Sequence, residues 1–270
     1  MVEKIIKIRN AVKDAAPLIH CITATVSINQ CANAVLSTGA RPITAEHPKE
    51  VGEITRAAQA LMLNLGNLTP SKQKAMEISA RAAKKNNIPV IFDAVGVACS
   101  GFRRKLSHKI IRKYQPKVIK GNYSEIYSLY DDAYKSSGVD ADKHLDKEKL
   151  ADISVFLAKK YNAIILASGK CDIISDGRKL IYIENGTPQL SSITGTGCIL
   201  GAITASFLSV SPDINAVAAA CAVLGISGEL SRTKKGMGTF FMNLMDTLSV
   251  LTDDEITENL KTEVKKIEKV

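Results

Sequence analysis

Short apolar, β-branched runs alternate with helical patterns over most of the chain, and Gly, Pro, Asn or Asp closes each run. This is the rhythm of βαβ units. It predicts strands over 18–22, 42–44, 60–63, 90–93, 117–120 and 163–167. Helices are expected between them, among them 27–36, stopped by Gly39, and 71–85, which starts behind Pro70. Several strands are apolar on both faces, as in a parallel sheet covered by helices on both sides.

The pattern changes after residue 170. Runs at 172–175 and 179–183 flank Asp176-Gly177, a dipeptide suited to the positive φ of a two-residue hairpin turn, so an antiparallel edge is expected. From Gly197 onward the pattern is helical: apolar helices near 198–210 and 214–229, then 239–251 and a charged helix near 253–268. The polar stretch from Asp131 to Lys149 reads as an elaborated surface loop.

A chain of 270 residues with 46% hydrophobic and 23% charged residues can bury one sizeable core, so a single domain over 1–270 is expected. Intrinsic disorder and fibrous repeats are excluded. The cysteines at 21, 31, 99, 171, 198 and 221 are scattered with no CxxC pair, which argues against a disulfide scaffold or a zinc module. Charges interrupt every apolar pair of the first 17 residues, so no secretory signal is read and a cytoplasmic location is expected. The most apolar region, 199–226, is broken by Ser211-Pro212-Asp213 into pieces too short to span a bilayer, hence buried helices and no membrane partner.

The formal net charge is +9, and Arg103, Arg104, Lys105, Lys109, Arg112, Lys113, Lys117 and Lys120 lie in one stretch without an acidic residue. With no Trp and no reader motif, a solvated helix face is a better reading than nucleic-acid binding. An anionic small ligand such as a nucleotide fits the charge better still.

Three groups of residues could carry chemistry. Thr194-Gly195-Thr196-Gly197-Cys198 is expected to follow a strand and to open an apolar helix, whose free first amides make an anion hole. The pattern is neither Walker A nor GxGxxG. Cys198 at that helix start is placed where the macrodipole favours a thiolate, and it is a candidate base; Cys21, Cys31, Cys171 and Cys221 read as small buried hydrophobes. Asp93 at the end of one strand and Glu125 just beyond the next are two carboxylates that suit Mg²⁺, which takes few protein oxygens. His20 reads as a satisfied structural histidine, and His47, His108 and His144 as surface residues.

With these residues in view, the chain resembles the hydroxyethylthiazole kinases over essentially its whole length. The matching segments run from Pro17-Leu18-Ile19-His20 through Ala32-Asn33, Gly39-Ala40-Arg41-Pro42, Leu63-Asn64-Leu65-Gly66, Asp93-Ala94-Val95-Gly96, 120–126 and 172–177 to Thr194–Cys198 and Gly236-Met237-Gly238. The resemblance implies an α/β ribokinase-like three-layer sandwich, with a mostly parallel central sheet, helices on both faces and an antiparallel hairpin at one edge. It further implies Mg²⁺, ATP as co-substrate and a homotrimer with interfacial active sites. Carried over, Cys198 matches the presumed catalytic position and Gly195, Thr196 and Gly197 the anion hole. Lys120, Ser168 and Asn122 match nucleotide-binding positions, Asp93 and Glu125 the magnesium-associated acids, and Thr44 with Gly195 the thiazole-binding positions.

The departures cluster. The family's HNITN reads His20-Cys21-Ile22-Thr23-Ala24, a usual Met is Thr44, DPVG is Asp93-Ala94-Val95-Gly96, and the following Gly-Ala-Thr is Ala98-Cys99-Ser100. Most lie where the family holds its small substrate, whereas the phosphate end is nearly intact. The leading expectation is ATP-dependent phosphorylation of hydroxyethylthiazole in thiamine salvage. The alternatives are a kinase for another small heterocyclic alcohol and a catalytically silent nucleotide binder.

Overall fold

The computed structural model describes residues 1–134 and 146–267. Nine strands form one sheet in the order β2-β1-β3-β4-β5-β6-β7-β8-β9. β1 (Leu18–Ile22), β2 (Arg41–Ile43), β3 (Ala60–Asn64), β4 (Val90–Asp93), β5 (Val118–Asn122) and β6 (Ile164–Ser168) are parallel. β7 (Asp172–Ser175), β8 (Lys179–Ile183) and β9 (Thr262–Lys266) continue the sheet antiparallel. The ribokinase-like sandwich expected from the sequence is therefore what forms.

Successive strand residues point to opposite faces, so each strand feeds two cores. Met62, Ile91, Val118 and Leu166 join one core with α1 (Val2–Ala15), α2 (Ile28–Ser37), α8 (Thr196–Leu208), α9 (Ile214–Leu230) and α10 (Met237–Val250). Leu63, Phe92, Ile119 and Ile165 join the other, beneath α3 (Val51–Ala57), α4 (Pro70–Lys85), α5 (Gly101–Tyr114), α6 (Tyr123–Tyr130) and α7 (Lys147–Tyr161). In α9, fourteen residues are buried because the helix is sandwiched between sheet and helices, and no described helix is long and apolar enough to cross a membrane.

Four expectations are corrected. The charged 253–268 segment is not one helix: α11 (Asp253–Asn259) ends early and Thr262–Lys266 becomes β9, because β8 leaves a row of backbone groups that only another strand can satisfy. The hairpin loop holds three residues, with Asp176 Oδ1 accepting from the amides of Arg178 (2.9 Å) and Lys179 (2.8 Å) and Gly177 at φ +82°. The chain enters α8 from a 3₁₀ turn over Pro188–Ser192 and not from a strand. The basic stretch is only in part a solvated face. Arg103 donates to the Val95 carbonyl, Arg104 is buried on the carbonyls of Val97, Asp132 and Tyr134, and Lys120 lies inside the sheet.

Two N-terminal helices, α1 and α3, were not anticipated, their apolar faces being short and thinned by charge. Of the 131–149 loop, residues 135–145 and with them His144 lie outside the described residues, and Lys147–Lys149 belong to α7.

Candidate active site

Register explains how three polar side chains meet. In the parallel sheet Asn64 pairs with Asp93 and Asp93 with Lys120, so the three stand side by side at the carboxyl ends of β3, β4 and β5. Asp93 Oδ2 accepts from Lys120 Nζ at 3.0 Å and from Asn64 Nδ2 at 2.9 Å, and both charged partners are buried. Burial by itself would lower the Lys120 pKa, but the nearby carboxylates of Asp93 and Glu125 outweigh it and hold the ammonium protonated. Burial pushes the Asp93 carboxyl up, partly offset by Lys120 and Asn64.

Above this row sits the start of α8. Gly195 has φ +97°, a conformation that favours glycine, and a Cβ there would come within 2.3 Å of Gln30 Oε1, so the Gln30 side chain would also have to move. The first intrahelical bond runs from Ile199 N to Gly195 O at 2.8 Å, so the amides of Thr196, Gly197 and Cys198 precede it and have no intrahelical acceptor. The start of α8 receives no side-chain cap, as is also the case for α1, α2, α3 and α10, so its first amides are left open. A Cβ on Gly197 would lie 3.6 Å from Lys120 Nζ, so the buried cation and the open helix end face the same space. That arrangement favours a polyanion.

The other expected residues distribute as follows. Cys198 is half-buried, and Asn64 Nδ2 lies 3.4 Å from its Sγ. The thiolate expectation is corrected: burial, followed by the Asp93 carboxylate, raises the Cys198 pKa above the ordinary thiol value despite the helix start, so the group is a neutral thiol. Thr196 contributes through its amide, since its hydroxyl donates to the Leu190 carbonyl at 2.9 Å.

Glu125 is buried beside Asp93 but accepts Gly96 N at 2.7 Å and Asn122 N at 2.8 Å. It thus ties the loop after β4 to the start of α6, in a capping box with Asn122, whose Oδ1 accepts Glu125 N at 2.9 Å. Burial and the Asp93 charge push its pKa up to about 7. Ser168 pairs with Asn122 across β5 and β6 and donates to the Gly121 carbonyl at 3.3 Å. Thr44 is half-buried one residue past β2.

His20 is structural as expected: it is fully buried, its Nε2 donating to the Ala45 carbonyl at 2.8 Å and its Nδ1 pairing with the Thr55 hydroxyl at 2.9 Å, and burial lowers its pKa. It thereby anchors the loop that carries Thr44. His47 is exposed, whereas His108 is half-buried between Asp132 and the Tyr161 hydroxyl. Cys21, Cys31, Cys171 and Cys221 are buried free thiols.

Sequence reasoning assigned no role to Asn64, which bridges Asp93 and Cys198, or to Thr23 and Ser27, whose hydroxyls lie 3.3 Å apart beside Cys31. Asn64 had a signal, since it ends a strand beside the Asp93 strand; Thr23 and Ser27 come near α8 only through the packing of α2 on it.

Asp93 Oδ1 is buried and has no hydrogen-bond partner, which leaves one anionic lone-pair site for a cation. No group of three or more His, Cys, Asp or Glu that could hold a metal exists among the described residues. One or two carboxylate oxygens fit Mg²⁺, which keeps waters and phosphate oxygens as most of its ligands.

Comparison with known proteins finds relatives over nearly the whole chain. The model of the hydroxyethylthiazole kinase family matches residues 9–254. A hydroxyethylthiazole kinase 2 of Clostridium botulinum (strain Langeland) is 42% identical over 260 residues, covering 94% of this chain and 98% of the relative. A hydroxyethylthiazole kinase of the Eklund 17B strain is 36% identical, covering 97% and 96%. The solved hydroxyethylthiazole kinase of Pyrococcus horikoshii superposes with a TM-score of 0.89 at 29% identity, covering 97% of this chain and 99% of that one. The pyridoxal kinase of Staphylococcus aureus solved with ADP shares the fold alone, with a TM-score of 0.66 at 13% identity over 93% and 98% of the two chains. With its buried Asp93–Lys120 pair under an uncapped, glycine-flanked helix start, the chain belongs to the hydroxyethylthiazole kinase family.

Proposed function

We infer that this chain, as a single kinase domain, transfers the γ-phosphoryl group of ATP to the side-chain hydroxyl of 4-methyl-5-(2-hydroxyethyl)thiazole, a salvage step of thiamine synthesis in the cytoplasm. The observation that carries this is the convergence of Lys120 Nζ and the open amides of 196–198 on one space at the strand ends.

Phosphoryl transfer asks the protein mainly for positioning and for charge stabilisation. The protonated, buried Lys120 and the α8 amides answer the charge on the migrating group. Asp93 fixes Lys120 and, through Oδ1, would hold Mg²⁺, with Glu125 assisting through lone pairs its amide contacts leave free; when bound, the ion neutralises phosphate charge. Asn122 and Ser168, adjacent in register, frame the nucleotide side. Thr44 and Gly195 frame the alcohol. Cys198, as a neutral thiol at the third residue of α8, orients the hydroxyl but cannot accept its proton, which passes to an oxygen of the transferring phosphoryl group as the new O–P bond forms; with no strong base at hand, turnover is slow.

A homotrimer is part of the proposal. Val26, beside the site, is 61% exposed, and Leu36, Met237, Met242 and Val250 on α2 and α10 are exposed as well, an apolar surface that partner subunits would cover. Light scattering is expected to give three times the 29.1 kDa chain mass.

The test is coupled ADP release with ATP, Mg²⁺ and hydroxyethylthiazole. Alcohol-dependent ADP formation is expected. ADP release only with another heterocyclic alcohol would shift the substrate, as the replacements at Cys21, Ala24 and Thr44 allow, and nucleotide binding without turnover on any alcohol would overturn the kinase reading.

A further inference from the structure

Lys72, in the first turn of α4, is 2% exposed yet forms no salt bridge among the described residues. Its Nζ donates to two backbone carbonyls, Thr23 O at 2.5 Å and Gly66 O at 2.6 Å. A buried ammonium without a carboxylate is costly, and carbonyls alone compensate it incompletely. Burial accordingly lowers its pKa to about 8, with Glu46 from the loop after β2, Cys198 of α8 and Arg103 of α5 as the charged or titratable groups that act on it. An apolar side chain here would leave both carbonyls unpaired, so the ammonium serves to hold the two segments together.

The two carbonyls belong to different parts of the site. Thr23 opens the segment Thr23–Ser27, which lines the acceptor side and where the family's asparagine is Ala24. Gly66 follows β3, and its amide donates to Asn64 Oδ1 at 2.7 Å. Asn64 in turn reaches Asp93 Oδ2 and Cys198 Sγ through Nδ2. The segments already touch, since a Cβ on Gly66 would meet the Ala24 methyl at 2.6 Å.

We propose that Lys72 is a positioning residue for phosphoryl transfer, its ammonium joining the acceptor wall at Thr23 to the Gly66–Asn64 link that sets Asp93 and Cys198. The proposal rests on the kinase reading above. Hydrogen bonds from a charged donor are about twice as strong as neutral ones, so the joint weakens when the ammonium loses its proton.

The experiment measures kcat and KM for the alcohol and for ATP between pH 6.5 and about 9.5 in the wild type, Lys72→Arg and Lys72→Met. In the wild type, kcat/KM for the alcohol is expected to fall several-fold through about pH 8, below any Cys198 ionisation. Lys72→Arg, whose guanidinium stays charged, removes that limb. Lys72→Met lowers kcat/KM for the alcohol about tenfold at every pH and leaves the KM for ATP unchanged. The same limb in Lys72→Arg and wild type overturns the proposal, as does a Met variant with unaltered alcohol kinetics or with both substrates equally impaired. Should the wild type turn over only a different heterocyclic alcohol, the thiazole reading fails and the same profile on that alcohol decides the role of Lys72.

Discussion

The proposed phosphate end of the site and its proposed alcohol end are built by different means. At the phosphate end, strand register, a glycine with positive φ and one buried ion pair fix the geometry: Asn64, Asp93 and Lys120 stand in neighbouring positions, and the start of α8 lies over them. At the alcohol end, side chains on loops and a 3₁₀ turn make the wall, from Thr23–Ser27 to Thr44, with His20 and Lys72 holding it from behind through backbone carbonyls. The first depends on strand register, one glycine of positive φ and three buried side chains. The second depends on side chains, and there the chain departs from its relatives' pattern. On the proposed reading, chemistry and specificity are separable along the carboxyl ends of the strands.

Substitutions at the phosphate end break that comparison most strongly. Asp93→Asn leaves Lys120 buried without its counter-charge and is expected to lower kcat by about two to three orders of magnitude. It should also cost about 3–5 kcal/mol in urea denaturation. Turnover within about threefold of wild type would remove Asp93 from the mechanism. Gly195→Ala comes next: the methyl group meets Gln30 and the backbone strain costs about 1–3 kcal/mol, so the alcohol KM and kcat should both worsen by at least about tenfold.

Glu125→Gln gives a subtler result, because Gln can keep the capping box while losing the charge. The Glu125 carboxyl ionises near pH 7 in the folded chain, so wild-type kcat/KM should climb through pH 7 and the variant's should not. The sign for stability is opposite. With a folded pKa raised above the ordinary carboxylate value, Glu125 contributes stability that is complete below about pH 4 and lost as pH rises through about 7, and the variant's stability should lack that decline between them. The smallest effect is expected for Cys198→Asp. If the residue only orients the hydroxyl, a carboxylate there, which can also accept the proton, keeps turnover within about tenfold of wild type or raises it; a dead variant would contradict the role given to Cys198.

Much of this was legible in the sequence, unevenly. The parallel strands were legible because their apolar runs are short, β-branched and bounded by turn residues, and Asp93 and Glu125 because each follows such a run. The glycine-flanked start of α8 was visible as Gly195-Thr196-Gly197, although the 3₁₀ turn that delivers it was not, since Pro188 stops a strand that the pattern alone suggested. Strand β9 escaped because Thr262–Lys266 is charged and exposed; only the open edge of β8 makes it a strand. The thiol state of Cys198 was misread for a related reason: the helix start was visible in the sequence, but the burial and the Asp93 carboxylate that outweigh it come from tertiary packing. Lys72 left no mark at all, because its carbonyl partners lie 49 and 6 residues away and belong to no pattern of side chains.

The central claim is that the amides at the start of α8 and the Lys120 ammonium receive the migrating phosphoryl group. A crystal structure with Mg²⁺, a non-hydrolysable ATP analogue and the thiazole alcohol tests it most directly. The account expects the terminal phosphate within hydrogen-bond reach of the amides of residues 196–198 and of Lys120 Nζ. A terminal phosphate bound away from that helix start, with Lys120 still paired only to Asp93, would contradict it.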